Sequence, residues 1–214
     1  MRFDADRAAL VNSLRTKGIS NERVLEAIGR VPRHLFVDRA LQRRAYNDEA
    51  LPIGLSQTIS QPFTVAFQTS LLNPQPDERI LEIGTGSGYQ AAVLAEMGAR
   101  VFSVERHAEL LRRTNTILRK LNYRVRTHLG DGTKGWSAVG PFDGIIVTAG
   151  GVDIPEALLE QLREPIEGKP NARLIIPIGV EGAQTMHRIT RTGTNSYENE
   201  QFGEFSFVPL VRDQ

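Results

Sequence analysis

The chain has 214 residues, of which 40% are hydrophobic and 24% charged, and its formal net charge is +1. This composition is typical of one globular domain that buries its own core, and the small net charge argues against a dominant nucleic-acid or membrane-binding field. The absence of cysteine excludes a disulfide framework, a thiol nucleophile and a cysteine-ligated metal. The stretch "MRFDADRAAL" carries charges where a signal peptide needs an apolar run, and no window approaches about eighteen uninterrupted apolar residues. We therefore expect a cytoplasmic protein without a membrane span.

Helical patterns dominate the first part of the chain. Helices are predicted over residues 4–17, 21–30 and 62–72. Pro62 suits the first turn of the third helix, because its fixed φ and missing N–H are tolerated there. Residues 32–61 show little periodicity.

From residue 79 onwards, apolar runs alternate with helical patterns. Strands are predicted over residues 79–84, 100–105, 124–132, 142–150 and 172–179, and helices over residues 89–98, 107–121 and 154–162. This alternation predicts βαβ units and a mostly parallel sheet. Two further strands, 185–191 and 203–211, are separated by a polar connection over 192–202 and predict an antiparallel finish.

The predicted fold is therefore a single α/β domain over residues 1–214. Residues 1–75 form an N-terminal helical extension, and residues 76–214 form a Rossmann-like, doubly wound core. The extension and the tail are expected to pack around the carboxyl ends of the strands, where open α/β sheets bind ligands.

A glycine-rich turn, "LEIGTGSGYQ", follows the strand at 79–84 and opens a helix. Its glycines allow a tight turn and the close approach of a ligand. Glu105 ends the next strand, where a carboxylate can accept hydrogen bonds from both ribose hydroxyls. A dinucleotide fingerprint would need a third glycine where the chain has Tyr89. The actual G-x-G-x-G pattern resembles the first motif of class I S-adenosylmethionine-dependent methyltransferases.

That resemblance implies a cofactor site. The loop would wrap the methionine part of S-adenosyl-L-methionine, Glu105 would hold its ribose, and Asp131 would approach its adenine; the product would be S-adenosyl-L-homocysteine, and no metal is expected. Glu82 would act through the loop or through water. The expected cofactor-binding residues are Glu82, Gly84, Thr85, Gly86, Ser87, Gly88, Glu105, Asp131 and Gly132.

The motifs that the sequence lacks restrict the class of methyl acceptor. The four histidines are scattered without metal-ligand spacing, and no general-base constellation is evident. "TAGG" stands where amide and amine methyltransferases carry [ND]-P-P-[YFW]. Both observations favour an oxygen nucleophile that is already charged, since a carboxylate needs no base. A small-molecule carboxylate or hydroxyl acceptor and a non-catalytic binding module stay open as alternatives.

Longer blocks narrow the resemblance to one family. "VPRHLFV" (31–37), "AYNDEALPIG" (45–54), "QTISQP" (57–62) and "PFDGIIVTA" (141–149) resemble the protein-L-isoaspartate O-methyltransferase family, as does nearly the whole chain. The resemblance implies methylation of the free α-carboxylate of L-isoaspartyl residues, which initiates repair through a succinimide. It also implies that the last two strands are exchanged in order relative to other class I methyltransferases.

The same resemblance assigns the acceptor side of the site. Ser60 is expected to be the catalytic residue, beside Thr58, and Val208, Pro209 and Leu210 are expected to line the substrate backbone. Chemically, Ser60 suits an orienting role, because direct displacement has no use for a covalent serine intermediate. The alternative is that Thr58 and Ser60 only cap the helix starting near Pro62.

Four features stand apart from this pattern. Ser56 replaces a glycine that the family usually has, and "TAGG" replaces a more usual pair of alanines. Trp136 either joins the adenine pocket or simply packs. The helix near 106–126 is basic, but we interpret it as a solvated face, because aromatic residues are sparse. The expected partners are isoaspartyl proteins and peptides, with no nucleic acid and no membrane, and a monomer is favoured.

Overall fold

The computed structural model describes residues 3–180 and 182–211. Its helices are α1 (Asp4–Thr16), α2 (Glu22–Arg30), α3 (Pro62–Leu72), α4 (Tyr89–Glu96), α5 (Ala108–Lys120) and α6 (Glu156–Glu160). A small hairpin is formed by β1 (Leu51–Gly54) and β2 (Gln57–Ile59). The strands of the large sheet are β3 (Arg79–Ile83), β4 (Arg100–Glu105), β5 (Val125–Leu129), β6 (Gly144–Val147), β7 (Arg173–Val180), β8 (Ala183–Arg191) and β9 (Tyr197–Phe205).

The large sheet has the order β5-β4-β3-β6-β7-β8-β9. Strands β3 to β7 pair in parallel, whereas β8 and β9 pair antiparallel. The predicted fold class is confirmed, and the last two strands lie in chain order, as the family resemblance implies. Because β4 and β5 lie on one side of β3 and β6 and β7 on the other, the strand order reverses between β3 and β6. Ligands bind beside such a switch point in open α/β sheets.

The central strands are buried because helices cover both faces of a parallel sheet. On one face, Leu81 and Ile83 of β3 share a hydrophobic cluster with Leu158 of α6. On the other face, Ile80 shares a cluster with Leu72 of α3 and Leu94 of α4. The described residues include no helix with the length and apolar character needed to cross a membrane.

The tail differs from the predicted boundaries. The polar stretch 192–202 was expected to be a connection, yet β9 begins at residue 197 and ends at residue 205. The prediction was wrong because β9 is an edge strand whose side chains are mostly exposed, so its sequence lacks apolar alternation. Charge pairing replaces burial there: Arg188 of β8 forms a two-point ion pair with Glu200, directly opposite on β9.

Residues 32–61, where the sequence shows little periodicity, still contain regular structure. The segment contains the β1–β2 hairpin and two short 3₁₀ turns, Arg33–Leu35 and Arg39–Arg44. The hairpin turns through Leu55 and Ser56, both in the left-handed region with φ of 52° and 57°. Such a two-residue turn is usually marked by Asn-Gly or Asp-Gly, and this chain carries neither.

Candidate active site

A cavity of about 350 Å³ lies at the carboxyl ends of β3 and β4. Three separate segments meet around it: the glycine-rich turn, the end of the hairpin, and the chain after β9. The predicted site residues that line it are Thr58, Ser60, Glu82, Gly84, Thr85, Gly86, Ser87, Glu105, Gly132, Val208, Pro209 and Leu210. Its volume is typical of a site for a small molecule or cofactor.

Two predicted residues lie behind the wall of this cavity. Gly88 precedes α4, and a Cβ there would approach the Thr114 methyl group to 2.6 Å. Asp131 accepts hydrogen bonds from the backbone N–H and the hydroxyl of Thr133, both at 2.8 Å, and so caps the 3₁₀ turn Gly132–Lys134. Unlike the other predicted cofactor-binding residues, Gly88 and Asp131 therefore do not line the cavity.

Hydroxyl groups from neighbouring elements hold the glycine-rich turn. Thr148 follows β6 and donates its hydroxyl to the carbonyls of Ile83 (3.0 Å) and Gly84 (2.7 Å). From α5, Thr114 donates to the Gly86 carbonyl at 2.5 Å. A Cβ at Gly84 would lie 2.5 Å from the Thr148 hydroxyl oxygen, so close contact as well as a φ of 93° requires glycine there.

Glu105 connects the end of β4 to the glycine-rich turn. Its carboxylate is only 5% exposed and accepts hydrogen bonds from the backbone N–H groups of Gly86 (2.8 Å) and His107 (2.9 Å). A carboxylate offers about four acceptor sites, so two remain for a ligand at the cavity. These bonds fix the side chain in the place expected for a ribose-binding acid.

Buried acceptors lie beneath the turn. Glu82 is fully buried in β3, and its Oε2 accepts a hydrogen bond from the Ser103 hydroxyl. Burial, reinforced by the negative charge of Glu105, raises the pKa of Glu82 to about 8. Glu82 Oε1 and Gln90 Oε1 have no hydrogen-bond partner among the described residues, and both side chains line the cavity. Because unpaired buried polar atoms are costly, the two atoms suit a polar ligand: Gln90 Oε1 can accept from an ammonium group, and the Glu82 carboxyl, protonated below a pKa of about 8, can donate.

The hairpin carries two hydroxyls to the opposite wall. Thr58 lies in β2 and Ser60 just after it, and within the described part of the chain neither hydroxyl has a hydrogen-bond partner. Asp48, not Thr58 or Ser60, caps α3, because its Oδ1 accepts from the Phe63 backbone N–H at 2.7 Å. Lys17 pairs with the other Asp48 oxygen at 2.5 Å. The Thr58 and Ser60 hydroxyls are thus available to a ligand.

The chain after β9 is fastened to the sheet beside the cavity. Gly150 donates its N–H to the Val208 carbonyl (2.8 Å) and accepts from the Leu210 N–H (2.7 Å). Gln184 Oε1 accepts from the Phe207 N–H at 2.9 Å. A Cβ at Gly150 would lie 2.7 Å from the Gln184 amide, so a larger residue at this place in "TAGG" would press on the side chain that holds Phe207.

A second cavity of about 520 Å³ adjoins the first. Both cavities share Thr58, Ser60, Thr148 and Val208 as lining residues. The other side of the second cavity is formed by the end of β9 and the start of α3. The hydroxyls of Thr58 and Ser60 therefore stand at the junction of two cavities.

The other candidate residues fall outside this junction. Trp136 packs edge-on against Phe102 and stacks on His128, with ring centroids 6.0 and 4.8 Å apart, and it is not among the lining residues. Packing is therefore the role that the structure gives to Trp136. Among residues 3–180 and 182–211, no group of three His, Asp or Glu side chains is placed to hold a metal ion.

Comparison with known proteins identifies the family. A family model described as Protein-L-isoaspartate(D-aspartate) O-methyltransferase matches residues 5–214. The chain belongs to this family.

Relatives named protein-L-isoaspartate O-methyltransferase are similar over their full length. The protein from Salinibacter ruber is 61% identical over 214 residues, covering 98% of this chain and 93% of the relative. The protein from Christiangramia forsetii is 47% identical, covering 100% of this chain and 97% of the relative.

Solved structures agree on the fold. A protein-L-isoaspartate O-methyltransferase structure superposes with a TM-score of 0.85 at 26% identity, covering 96% of this chain and 66% of that longer one. A Plasmodium falciparum protein solved with S-adenosyl-L-homocysteine gives a TM-score of 0.79 at 23% identity, covering 97% and 99% of the two chains, and shows the fold alone.

Sequence reasoning missed several residues that shape the site of this methyltransferase. The sequence marks Thr148 only as the first residue of "TAGG", which differs from the usual family pattern. It does not mark Gln90 or Gln184 as site residues. Gln90 lies two residues after the last glycine of the motif, so its position was a usable signal. Gln184 lies in a strand remote in sequence, and nothing local marks it as the residue that holds Phe207.

Proposed function

We propose that this protein is a repair methyltransferase that transfers a methyl group from S-adenosyl-L-methionine to the free α-carboxylate of L-isoaspartyl residues in damaged proteins and peptides. The observation that carries the proposal is the shared cavity, in a chain of this family, where the glycine-rich turn faces the hydroxyls of Thr58 and Ser60. Methylation initiates return to aspartyl, because the ester is a better leaving group and collapses to a succinimide.

The cofactor half of the cavity fits this donor. Glu105 accepts from the ribose hydroxyls, and the unpartnered Gln90 Oε1 suits the ammonium of the methionyl part, with Glu82 beside it beneath the turn. Gly84, Thr85, Gly86 and Ser87 supply backbone that approaches the ligand closely, with Gly88 fixing the start of α4. Asp131 and Gly132 complete the proposed set on the adenine side.

The acceptor half orients a carboxylate. When bound, S-adenosyl-L-methionine supplies a methyl group on a positively charged sulfur, and the C–S electron pair stays on sulfur as the new O–C bond forms. Ser60 donates its hydroxyl to one acceptor oxygen and holds the other in line with the methyl group, and Thr58 supports the same geometry. Proximity and alignment account for the rate, because an ionised carboxylate needs no base.

A polypeptide acceptor is favoured by the second cavity beside Thr58 and Ser60, which extends the site along the end of β9. Val208, Pro209 and Leu210 present backbone fixed by Gly150, so an extended peptide can lie along the tail and direct one side branch inwards. The first cavity alone would suit a small-molecule carboxylate or hydroxyl equally well. A monomer, a cytoplasmic location and the absence of nucleic-acid or membrane partners remain predictions.

Radiolabelled methyl transfer tests the proposal. The protein is incubated with methyl-labelled S-adenosyl-L-methionine and a peptide containing either L-isoaspartate or L-aspartate at one position. We expect base-labile label on the isoaspartyl peptide only. Binding of S-adenosyl-L-homocysteine without label on either peptide would instead favour another acceptor or a binding module.

A further inference from the structure

Arg33 is buried behind the acceptor half of the site. Its side chain is 0% exposed, and its guanidinium donates to three backbone carbonyls. Nη1 donates to Ala45 at 3.1 Å, and Nη2 donates to Glu49 at 3.0 Å and to Ser60 at 2.9 Å. One side chain therefore ties the residue carrying the proposed catalytic hydroxyl to the segment 45–49.

Keeping an arginine here is costly. A buried charge is tolerated only with close hydrogen-bonding partners, and carbonyl dipoles neutralise it less completely than a carboxylate. Desolvation accordingly lowers the pKa of Arg33, although nearby acidic groups oppose the shift. Its Nε has no partner among the described residues. An apolar side chain would avoid this cost, but it could not hydrogen-bond to the three carbonyls. The buried arginine therefore indicates that these hydrogen bonds are needed to position the backbone.

Arg33 also contacts the other half of the cavity. Its guanidinium carbon lies 5.4 Å from the centroid of the Tyr89 ring, within the range of a cation–π contact. Tyr89 is the first residue of α4, directly after the glycine-rich turn, and it lines the cavity. Arg33 thus links the Ser60 backbone to the end of the glycine-rich turn.

We propose that Arg33 is a positioning residue that acts through Ser60, holding its backbone so that the hydroxyl faces the acceptor carboxylate. This inference rests on the proposed role of Ser60. The planar fork of arginine reaches carbonyls in two segments at once, whereas the single ammonium of lysine cannot reproduce that spacing. The glycine-rich turn is held separately by Thr114 and Thr148, so cofactor affinity does not depend on Arg33.

A double-mutant cycle on the full chain tests this role. Arg33→Lys is made in the wild-type and in the Ser60→Ala background, and kcat and KM are measured with an isoaspartyl peptide. The Kd of S-adenosyl-L-homocysteine is measured by calorimetry, and Arg43→Lys, at an exposed position on the nearby 3₁₀ turn, is the control.

We expect Arg33→Lys to lower kcat about 10-fold in the wild-type background, which corresponds to the loss of about one hydrogen bond. When Ser60 is already alanine, we expect the same substitution to lower kcat by less than about 2-fold. The Kd is expected to stay within about 3-fold, the scatter normal for residues outside a binding site. Arg43→Lys is expected to change none of these values.

Three results would overturn the proposal. An unchanged kcat in Arg33→Lys would show that Ser60 needs no such support. An equal loss in both backgrounds would show that Arg33 does not act through Ser60. Loss of product binding together with activity would make Arg33 a scaffold residue instead. By contrast, a wild-type protein that binds product but methylates no isoaspartyl peptide would overturn the proposed function itself.

Discussion

The glycine-rich turn and the hairpin turn use the same unusual backbone conformation in different surroundings. Gly84, Gly86 and Gly88 have positive φ within a packed region, where added Cβ atoms at Gly84 and Gly88 would meet threonine side chains. Leu55 and Ser56 also have positive φ, but both are exposed. Positive φ alone therefore does not require glycine; close packing on top of it does.

The two regions are also fastened by different contacts. The glycine-rich turn is held by hydroxyls donated from α5 and from the end of β6, and Glu105 accepts from its backbone. The hairpin end is held from behind by Arg33 and, through the start of α3, by Asp48. Apart from the contact between Arg33 and Tyr89, the two sets of contacts are separate, so damage to one half of the cavity should leave the other half functional.

Gly84→Ala should produce the largest effect. The left-handed φ costs about 1–2 kcal/mol for a residue with a Cβ, and the added atom would collide with the Thr148 hydroxyl at 2.5 Å. We expect the free energy of unfolding to fall by at least that amount, and binding of S-adenosyl-L-homocysteine to be lost. Denaturant unfolding and calorimetry measure the two quantities.

Two further variants locate the cause of that effect. Gly203→Ala, where an added Cβ meets nothing within 4 Å, should be nearly neutral. Adding Thr148→Ala to Gly84→Ala removes the collision and should restore part of the binding. A double variant as impaired as the single one would show that the collision is not the cause, and would assign the loss to backbone strain together with the missing Thr148 hydrogen bonds.

Ser60→Ala should come second and act on the opposite half. Loss of the orienting hydroxyl is expected to lower kcat by about 10-fold to 100-fold, or about 1.4–2.7 kcal/mol of transition-state stabilisation. The Kd of S-adenosyl-L-homocysteine should be unchanged, because Ser60 lies on the acceptor wall. Steady-state kinetics with an isoaspartyl peptide and calorimetry test this, with Ser137→Ala, an exposed serine, as control. Equal losses in S-adenosyl-L-homocysteine binding and in kcat would show that the cofactor half and the acceptor half of the cavity are coupled.

The cofactor half was predictable from sequence because its signals are local. A buried strand, three spaced glycines and an acid at the end of the next strand predict a ligand site at one edge of a parallel sheet. The structure brings Gly84, Gly86 and Glu105 to one cavity accordingly.

The remaining structure was hidden for identifiable physical reasons. The hairpin has a Leu-Ser turn in place of the usual turn residues, and edge strand β9 is polar because its side chains are exposed. Arg33 reaches Ser60 across 27 residues of chain, and Gln184 reaches Phe207 across 23. Such contacts depend on the final fold, so periodicity and spacing could not reveal them.

Glu82 should give a moderate, pH-dependent effect. Its pKa is raised from 4.5 to about 8 by burial, so the folded state binds a proton that the unfolded state releases between these values. Stability contributed by this group is therefore fully present below pH 4.5 and declines as pH rises towards about 8. Glu82→Gln should flatten that decline, as measured by denaturant unfolding across the range.

A matched control separates this effect from general loss of charge. Glu109→Gln removes an exposed carboxylate at the start of α5 and should leave the slope of stability against pH unchanged. A Glu82→Gln protein that keeps the wild-type slope would mean that the buried carboxyl is ionised in the folded state.

Ser56→Gly should have the smallest effect and the opposite sign. Glycine relieves a left-handed residue but adds freedom to the unfolded chain, so a net gain in the free energy of unfolding of about 0.5–1 kcal/mol is expected. Ser13→Gly, in the last turn of α1, should lower stability by a similar amount and serves as the control. Ser56 does not line either cavity at the hairpin end, so kcat/KM for a short isoaspartyl peptide should be unchanged. A changed KM without a change in stability would instead place the turn in contact with the peptide, and the acceptor half would then extend beyond Thr58 to the hairpin tip.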